Sequence, residues 1–145
     1  MSTLVGVVTL IAGLIAWAGQ SLAFLAPAVA VRLGVLEPED EIDPTLYVVE
    51  AHAEGLTDML LAWMLPAAAL LMLLDHPLWP YLALIGSSVF LYFSILTVLS
   101  RVFLKKQGAK VGRPASVRAA YLFGAIWVAC SVAMLALAAT ELTSP

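Results

Sequence analysis

Residues 76–100 read HPLWPYLALIGSSVFLYFSILTVLS and contain no Asp, Glu, Lys or Arg. A helix needs about 20 predominantly apolar residues to cross roughly 30 Å of hydrocarbon, so this stretch is long enough to span a bilayer. Three more charge-free stretches cover residues 1–31, 59–74 and 119–140. The sequence therefore predicts an all-α integral membrane protein, an antiparallel four-helix transmembrane bundle with spans at about 4–31, 56–74, 78–104 and 117–140.

The composition agrees with a membrane protein and excludes a soluble enzyme. Of the 145 residues, 63% are hydrophobic and 12% are charged, whereas about 25% of the residues in a soluble domain are charged. Residues 1–145 can form a single four-span domain, but they leave no room for a separate soluble domain. The basic stretches are too small to indicate nucleic-acid binding. Membrane lipid is therefore the first expected partner.

The basic residues predict the orientation of the bundle. Arg32 follows the first span, and the other six Lys and Arg residues lie between Arg101 and Arg118. The positive-inside rule makes these segments cytoplasmic. We therefore expect cytoplasmic loops at residues 32–55 and 105–116 and both termini on the non-cytoplasmic side. In a bacterium, this would be the inner (plasma) membrane.

Proline positions predict where helices begin and bend. Pro27 and Pro66 lie in apolar stretches. Proline removes a backbone donor and clashes with the preceding turn, so we expect a kink near each of them. Asp43-Pro44 has the pattern of a helix start, with Asp as the N-cap and Pro in the first turn. The second helix is therefore expected to begin in the cytoplasmic headgroup region, before its apolar part.

Three carboxylates lie on one stripe of this second helix. At about 100° per residue, Glu50, Glu54 and Asp58 share a face, and His52 points nearly the opposite way. Like charges at this spacing destabilise a helix by about 0.2–0.5 kcal/mol per pair in water, so something must offset their repulsion. The sequence leaves three alternatives open: solvation in the headgroup region, pairing with Arg32, Arg101 or Arg118, or a bound cation or shared proton.

No metal motif accompanies these acids. His52 is isolated, and His76 is predicted to lie on the other side of the membrane. A zinc site needs several converging His, Cys or carboxylate ligands. We therefore expect no bound metal of this kind.

The layout resembles the MAPEG family, the membrane-associated proteins in eicosanoid and glutathione metabolism. Ala30–Leu33 is similar to the family's Val-Arg-Leu, and Ser116–Tyr121 is similar to an Arg and Tyr pair of the family. Residues 50–58, EAHAEGLTD, lie where the family has Arg-x-His-x-Asn-x-x-Glu-Asn. The His of that motif is present as His52, whereas its Arg and both Asn residues are replaced by acids.

The resemblance implies a homotrimer that binds glutathione between subunits in a cytoplasm-facing pocket and acts on lipophilic substrates. Arg32 and Arg118 would pair with the glutathione carboxylates, and Tyr121 or a nearby Arg would hold the sulfur as a thiolate. The candidate catalytic residues are thus Arg118 and Tyr121. The candidate ligand-binding residues are Arg32, Glu50, His52, Glu54, Asp58 and Arg101. Because the two Glu residues would repel glutathione, a degenerate, non-catalytic member of the family is also expected from this pattern.

Two function classes outside this resemblance stay open. The incomplete catalytic set fits a small integral-membrane accessory or scaffold subunit that binds another membrane subunit. The acidic stripe fits a carboxylate-lined proton or cation site. The direction of the stripe distinguishes these classes. A stripe that meets Arg32, Arg101 or Arg118 of a neighbouring subunit across a cytoplasmic pocket favours a ligand site, and a stripe that faces water favours an accessory subunit.

Overall fold

The computed structural model describes residues 2–144 and is built from helices. The elements are α1 (Ser2–Leu25), α2 (Pro27–Arg32), α3 (Pro44–Val48), a π-helical turn (Val49–Glu54), α4 (Gly55–Leu61), α5 (Met64–Leu73), α6 (Trp79–Lys106) and α7 (Pro114–Thr143). By length and composition, four helical stretches can cross a membrane: Ser2–Leu25, Pro44–Leu73, Trp79–Lys106 and Pro114–Thr143. The all-α fold with four helices long and apolar enough to span a membrane is therefore confirmed. The antiparallel arrangement and the sides on which the termini lie stay predictions.

The predicted proline effects are present. α1 ends at Leu25 and α2 begins at Pro27. The Asp43 side chain caps α3 by accepting from the backbone N–H of Thr45 at 2.9 Å. The second span breaks between Leu61 and Met64, one turn before Pro66, which has no N–H to donate back to that turn.

Small residues allow the spans to pack closely. Gly86 of α6 lies against the start of α5, where a Cβ would come within 2.7 Å of the Leu65 backbone nitrogen. Close backbone approach through small residues is a common basis of helix association in lipid. Two indole donors also join spans: Trp17 Nε1 donates to the Met59 carbonyl at 3.0 Å, and Trp127 Nε1 donates to the Ala12 carbonyl at 3.2 Å.

Two loops, residues 33–43 and 107–113, pair with each other at one end of the bundle; we call them the paired loops. Ile42 and Val111 form an isolated antiparallel bridge, and the Asp43 N–H donates to the Lys110 carbonyl at 2.8 Å. Ile42 and Val111 are both buried, in a cluster with Leu46 of α3. The paired loops therefore tie the α1–α2 side of the chain to the α6–α7 side.

An ion pair and a glycine complete this contact. Arg113 Nε donates to Glu37 Oε2 at 3.2 Å, and the Glu37 side chain is buried. Gly112 has a φ of +99°, and a Cβ there would lie 2.8 Å from Glu37 Cγ. Glycine is therefore required at this position both by backbone conformation and by space.

Candidate functional site

The three carboxylates of the acidic stripe face the interior of the bundle. Glu50, Glu54 and Asp58 are 8%, 6% and 9% exposed, respectively, whereas His52 is exposed. Solvation of the stripe in the headgroup region is therefore wrong, because these side chains are covered by the neighbouring helices. Burying a carboxylate carries a large desolvation cost unless it is paired, bonded or neutralised.

Arg101 of α6 provides the partner for the first carboxylate. Its Nη2 lies 2.7 Å from Glu50 Oε1, and both side chains are about nine-tenths buried. The contact is an ion pair by distance but lacks hydrogen-bond geometry, so Glu50 Oε1 has no hydrogen-bond partner among residues 2–144. Arg101 Nη1, the other terminal nitrogen of the guanidinium, also has none within these residues. Of the three predicted Arg partners, only Arg101 pairs with the stripe within the described chain. The ion pair therefore leaves hydrogen-bonding capacity at its centre.

A polar row on α6 faces the rest of the stripe. Thr97 Oγ1 donates a long hydrogen bond of 3.4 Å to Glu54 Oε2. Ser94, one turn before Thr97 on α6, lines the same small cavity as Asp58. The Asp58 carboxylate has neither a hydrogen bond nor a cation within 4 Å in the part of the chain that the structure describes. Asp58 is thus the least compensated acid of the stripe.

This polar row could have been found in the sequence. Ser94, Thr97 and Arg101 have the spacing i, i+3, i+7 that places side chains on one helix face. Arg101 was predicted as a site residue, but Thr97 and Ser94 were not. Glu37 was not predicted either, because its burial depends on the paired loops and has no local sequence signal.

Local backbone features hold the acidic helix against α1. The π-helical turn carries both Glu50 and Glu54, and such turns occur frequently at functional sites. Gly55 follows it, and a Cβ at Gly55 would lie 3.2 Å from the Gln20 carbonyl of α1. The absence of a side chain at Gly55 therefore lets α1 and the acidic helix approach each other closely, next to the buried Glu54.

A cavity of about 300 Å³ lies beside the Arg101–Glu50 pair; we call it the large cavity. Its walls are mainly apolar and come from α1, the loop after α2, and α7. The lining includes Ile15, Ala16, Gly19, Gln20, Leu36, Glu37, Ala120, Phe123 and Trp127. Ile15 and Phe123 are 53% and 40% exposed, and each lies on a helix that is long and apolar enough to cross a membrane. The large cavity therefore has exposed apolar side chains at one border and a buried charged pair at another.

A second cavity of about 20 Å³, the small chamber, lies around Asp58. Its polar lining is formed by Asp58, Gln20, Ser94 and Thr97, and the remaining lining is apolar. Gln20, Ala16 and Trp127 line both cavities. The small chamber is therefore adjacent to the large cavity and has room for one water-sized occupant.

The other predicted site residues lie outside both cavities. Arg32, His52 and Arg118 are exposed. Tyr121 is half-buried and packs against the cluster of Ile42 at the paired loops. The structure of one chain thus brings Glu50 and Arg101 to the large cavity and Asp58 to the small chamber, but it does not bring Arg118 and Tyr121 to either.

The chain matches no protein-family model, no curated protein and no solved structure. MAPEG membership and glutathione as a cofactor therefore stay predictions. In residues 2–144 there is no group of three or more His, Cys, Asp or Glu that could hold a metal ion. The large cavity and the small chamber adjoin the buried polar groups, and a function can be inferred from them.

Proposed function

We propose that this membrane protein binds a small lipophilic molecule with a neutral, hydrogen-bonding head group in the large cavity. The observation that carries the proposal is the buried Arg101–Glu50 pair, which lines a cavity whose walls are otherwise mainly apolar. Small-molecule sites are typically concave and mainly apolar, with a few polar groups that orient the ligand, and they start at about 300 Å³.

The charges around the large cavity favour a neutral head group. Arg101 is balanced by Glu50, and Glu37 is balanced by Arg113. An anionic or cationic head would add an unbalanced charge in a partly desolvated site. A hydroxyl group suits a balanced ion pair, because it can accept from the guanidinium and donate to the carboxylate.

The half-exposed apolar side chains at the border indicate how such a ligand enters. Ile15 of α1 and Phe123 of α7 belong to spans and line the large cavity. A ligand dissolved in the bilayer can therefore reach the cavity between these helices without crossing water. This matches the expectation of lipophilic substrates, and it supports binding without specifying a reaction.

Photolabelling in nanodiscs tests the proposal. A medium-chain alkanol that carries a diazirine should label residues of the large cavity, as mapped by mass spectrometry, and excess unlabelled alkanol should suppress that labelling. An alkane of the same length should compete at least about tenfold less well, because a hydrogen bond to a charged group contributes roughly 1.5–3 kcal/mol. Labelling that is spread over lipid-facing residues and insensitive to competitor would contradict the proposal.

Two matched variants of α7 locate the binding site. Ala120→Phe fills the large cavity, whereas Ala129→Phe adds the same ring at an exposed position of the same helix. Competitor-sensitive labelling should disappear in Ala120→Phe and persist in Ala129→Phe. Equal labelling of both variants would place the ligand elsewhere.

Glutathione transferase activity is a separate proposal that rests on the MAPEG resemblance. Because Arg32 and Arg118 are exposed, glutathione would have to bind between subunits, as in the homotrimer that the resemblance implies. Conjugation of glutathione to a hydrophobic electrophile in detergent is the direct assay. Failure to bind glutathione at millimolar concentration would remove this proposal and leave the ligand-binding proposal intact.

A further inference from the structure

The small chamber differs from the large cavity in size and in chemistry. Oxygen-bearing side chains from three segments meet there: Gln20 from α1, Asp58 from α4, and Ser94 and Thr97 from α6. We propose that the small chamber binds one dehydrated Na⁺ ion, held by the Asp58 carboxylate and by the side-chain oxygens of Gln20, Ser94 and Thr97. This site lies beyond the lipophilic ligand site, because Asp58 does not line the large cavity.

Ser94 supplies an observation that is independent of the acids. Ser94 is 4% exposed and lines the small chamber, yet its hydroxyl makes no hydrogen bond within the described residues. A serine in a membrane helix commonly donates to the carbonyl one turn earlier. On the same helix Ser88 does so, with 2.7 Å to the Leu84 carbonyl, whereas the buried Ser87 has no partner among the described residues and does not line the chamber. The Ser94 oxygen is therefore free to coordinate a ligand in the chamber.

The charge around the chamber calls for a cation. Asp58 is 9% exposed and has no cation within 4 Å among residues 2–144. The neighbouring charged groups are Glu54, which accepts from Thr97, and beyond it the Glu50–Arg101 pair. Since that guanidinium is already paired with Glu50, one monovalent cation would offset the charge of Asp58 and leave Glu54 with its hydrogen bond from Thr97.

The volume and the donor set limit which cation fits. About 20 Å³ holds one water-sized occupant, so an organic or fully hydrated cation is too large. All four polar groups offer oxygen, which hard cations prefer. A divalent ion is usually held by more carboxylates than the one that lines this chamber, and Zn²⁺ would need several N or S ligands.

The small chamber shares part of its lining with the large cavity. Gln20, Ala16 and Trp127 line both spaces. Gln20 has an amide oxygen that can bind the ion and makes no hydrogen bond in the part of the chain that the structure describes. The Gln20 side chain is therefore free to serve as one of the ligands.

Equilibrium binding of radioactive ²²Na⁺ to purified protein in nanodiscs tests the site directly. We expect saturable binding of one ion per chain, displaced by unlabelled Na⁺ and not by choline at equal ionic strength. Thermal unfolding should shift upward by about 3–6 °C when Na⁺ reaches about tenfold over its dissociation constant, and choline should produce no shift. Binding that fails to saturate, or a shift that choline reproduces, would overturn the proposal.

Three variants assign the binding to the chamber. Asp58→Asn should abolish ²²Na⁺ binding, and Ser94→Ala should weaken it at least about tenfold, while Asp75→Asn, at an exposed position, should leave it unchanged. If Asp58→Asn does not fold, Ser94→Ala and Thr97→Val decide the question, because neither changes the charge. Undiminished binding in Ser94→Ala and Thr97→Val would overturn the proposal, as would stability that responds to pH but not to Na⁺.

Discussion

The ion pair between Arg101 and Glu50 makes a quantitative prediction about stability. Both side chains are about nine-tenths buried, with 2.7 Å between Nη2 and Oε1. Removing one partner from a buried pair leaves an uncompensated charge and costs about 3–5 kcal/mol. Arg101→Met should therefore lower the free energy of unfolding by about 3–5 kcal/mol. The double variant Arg101→Met/Glu50→Gln should recover most of that loss, because it removes both charges.

The double-mutant cycle is measured by unfolding in mixed micelles of increasing SDS fraction, followed by far-UV circular dichroism. Lys105→Met, on the same helix and exposed, is the matched control and should change the free energy of unfolding by less than about 0.5 kcal/mol. A loss below about 1 kcal/mol for Arg101→Met would refute the reasoning. So would additive effects in the double variant, since additivity means that the two side chains do not interact.

Three further predictions concern packing, capping and orientation. Gly86→Ala should lower the free energy of unfolding by about 1–3 kcal/mol, because the added Cβ would lie 2.7 Å from the backbone of the facing span. Gly19→Ala, where the nearest atom is 3.4 Å from the added Cβ, should leave the free energy of unfolding unchanged or raise it. Equal effects of the two substitutions would contradict the packing argument. Asp43→Ala should lower the free energy of unfolding by about 0.5–2 kcal/mol, because the N-cap of α3 is lost. Asp43→Asn should keep a stability close to that of the parent protein, because Asn is also a good N-cap. In a cysteine-free background, Ser2→Cys should react with an impermeant thiol reagent from the non-cytoplasmic side and Gln107→Cys from the cytoplasmic side. The opposite pattern would reverse the predicted orientation.

The spans could be predicted because the bilayer imposes a simple rule. Backbone N–H and C=O groups of a single span in hydrocarbon can be satisfied only by hydrogen bonds within a helix. A long apolar stretch is therefore expected to be an α-helix. The local signals of Pro27, Asp43 and Pro66 were also sufficient, because each acts on the backbone within one turn. The π-helical turn was not predicted, since its residues have no composition that distinguishes it from an ordinary helix.

The site was predictable only in part. Helical spacing correctly grouped Glu50, Glu54 and Asp58, but spacing does not determine which way a helix is rotated in a bundle. That rotation depends on close contacts such as the one at Gly55. The choice of Arg101 among three arginines likewise depends on which span is adjacent to the acidic helix. Such contacts join residues far apart in sequence and leave no local pattern.

The pairing of residues 33–43 with residues 107–113 has a consequence for biogenesis. The contacts from Lys110 to Asp40 and from Arg113 to Glu37 connect residues separated by 70 and 76 positions. As the chain is synthesised, the first two spans are present well before their partner loop has been made. The wall of the large cavity formed by Leu36 and Glu37 can therefore close only when the third span is already inserted. A truncated or stalled chain would have its first helices but not the complete large cavity.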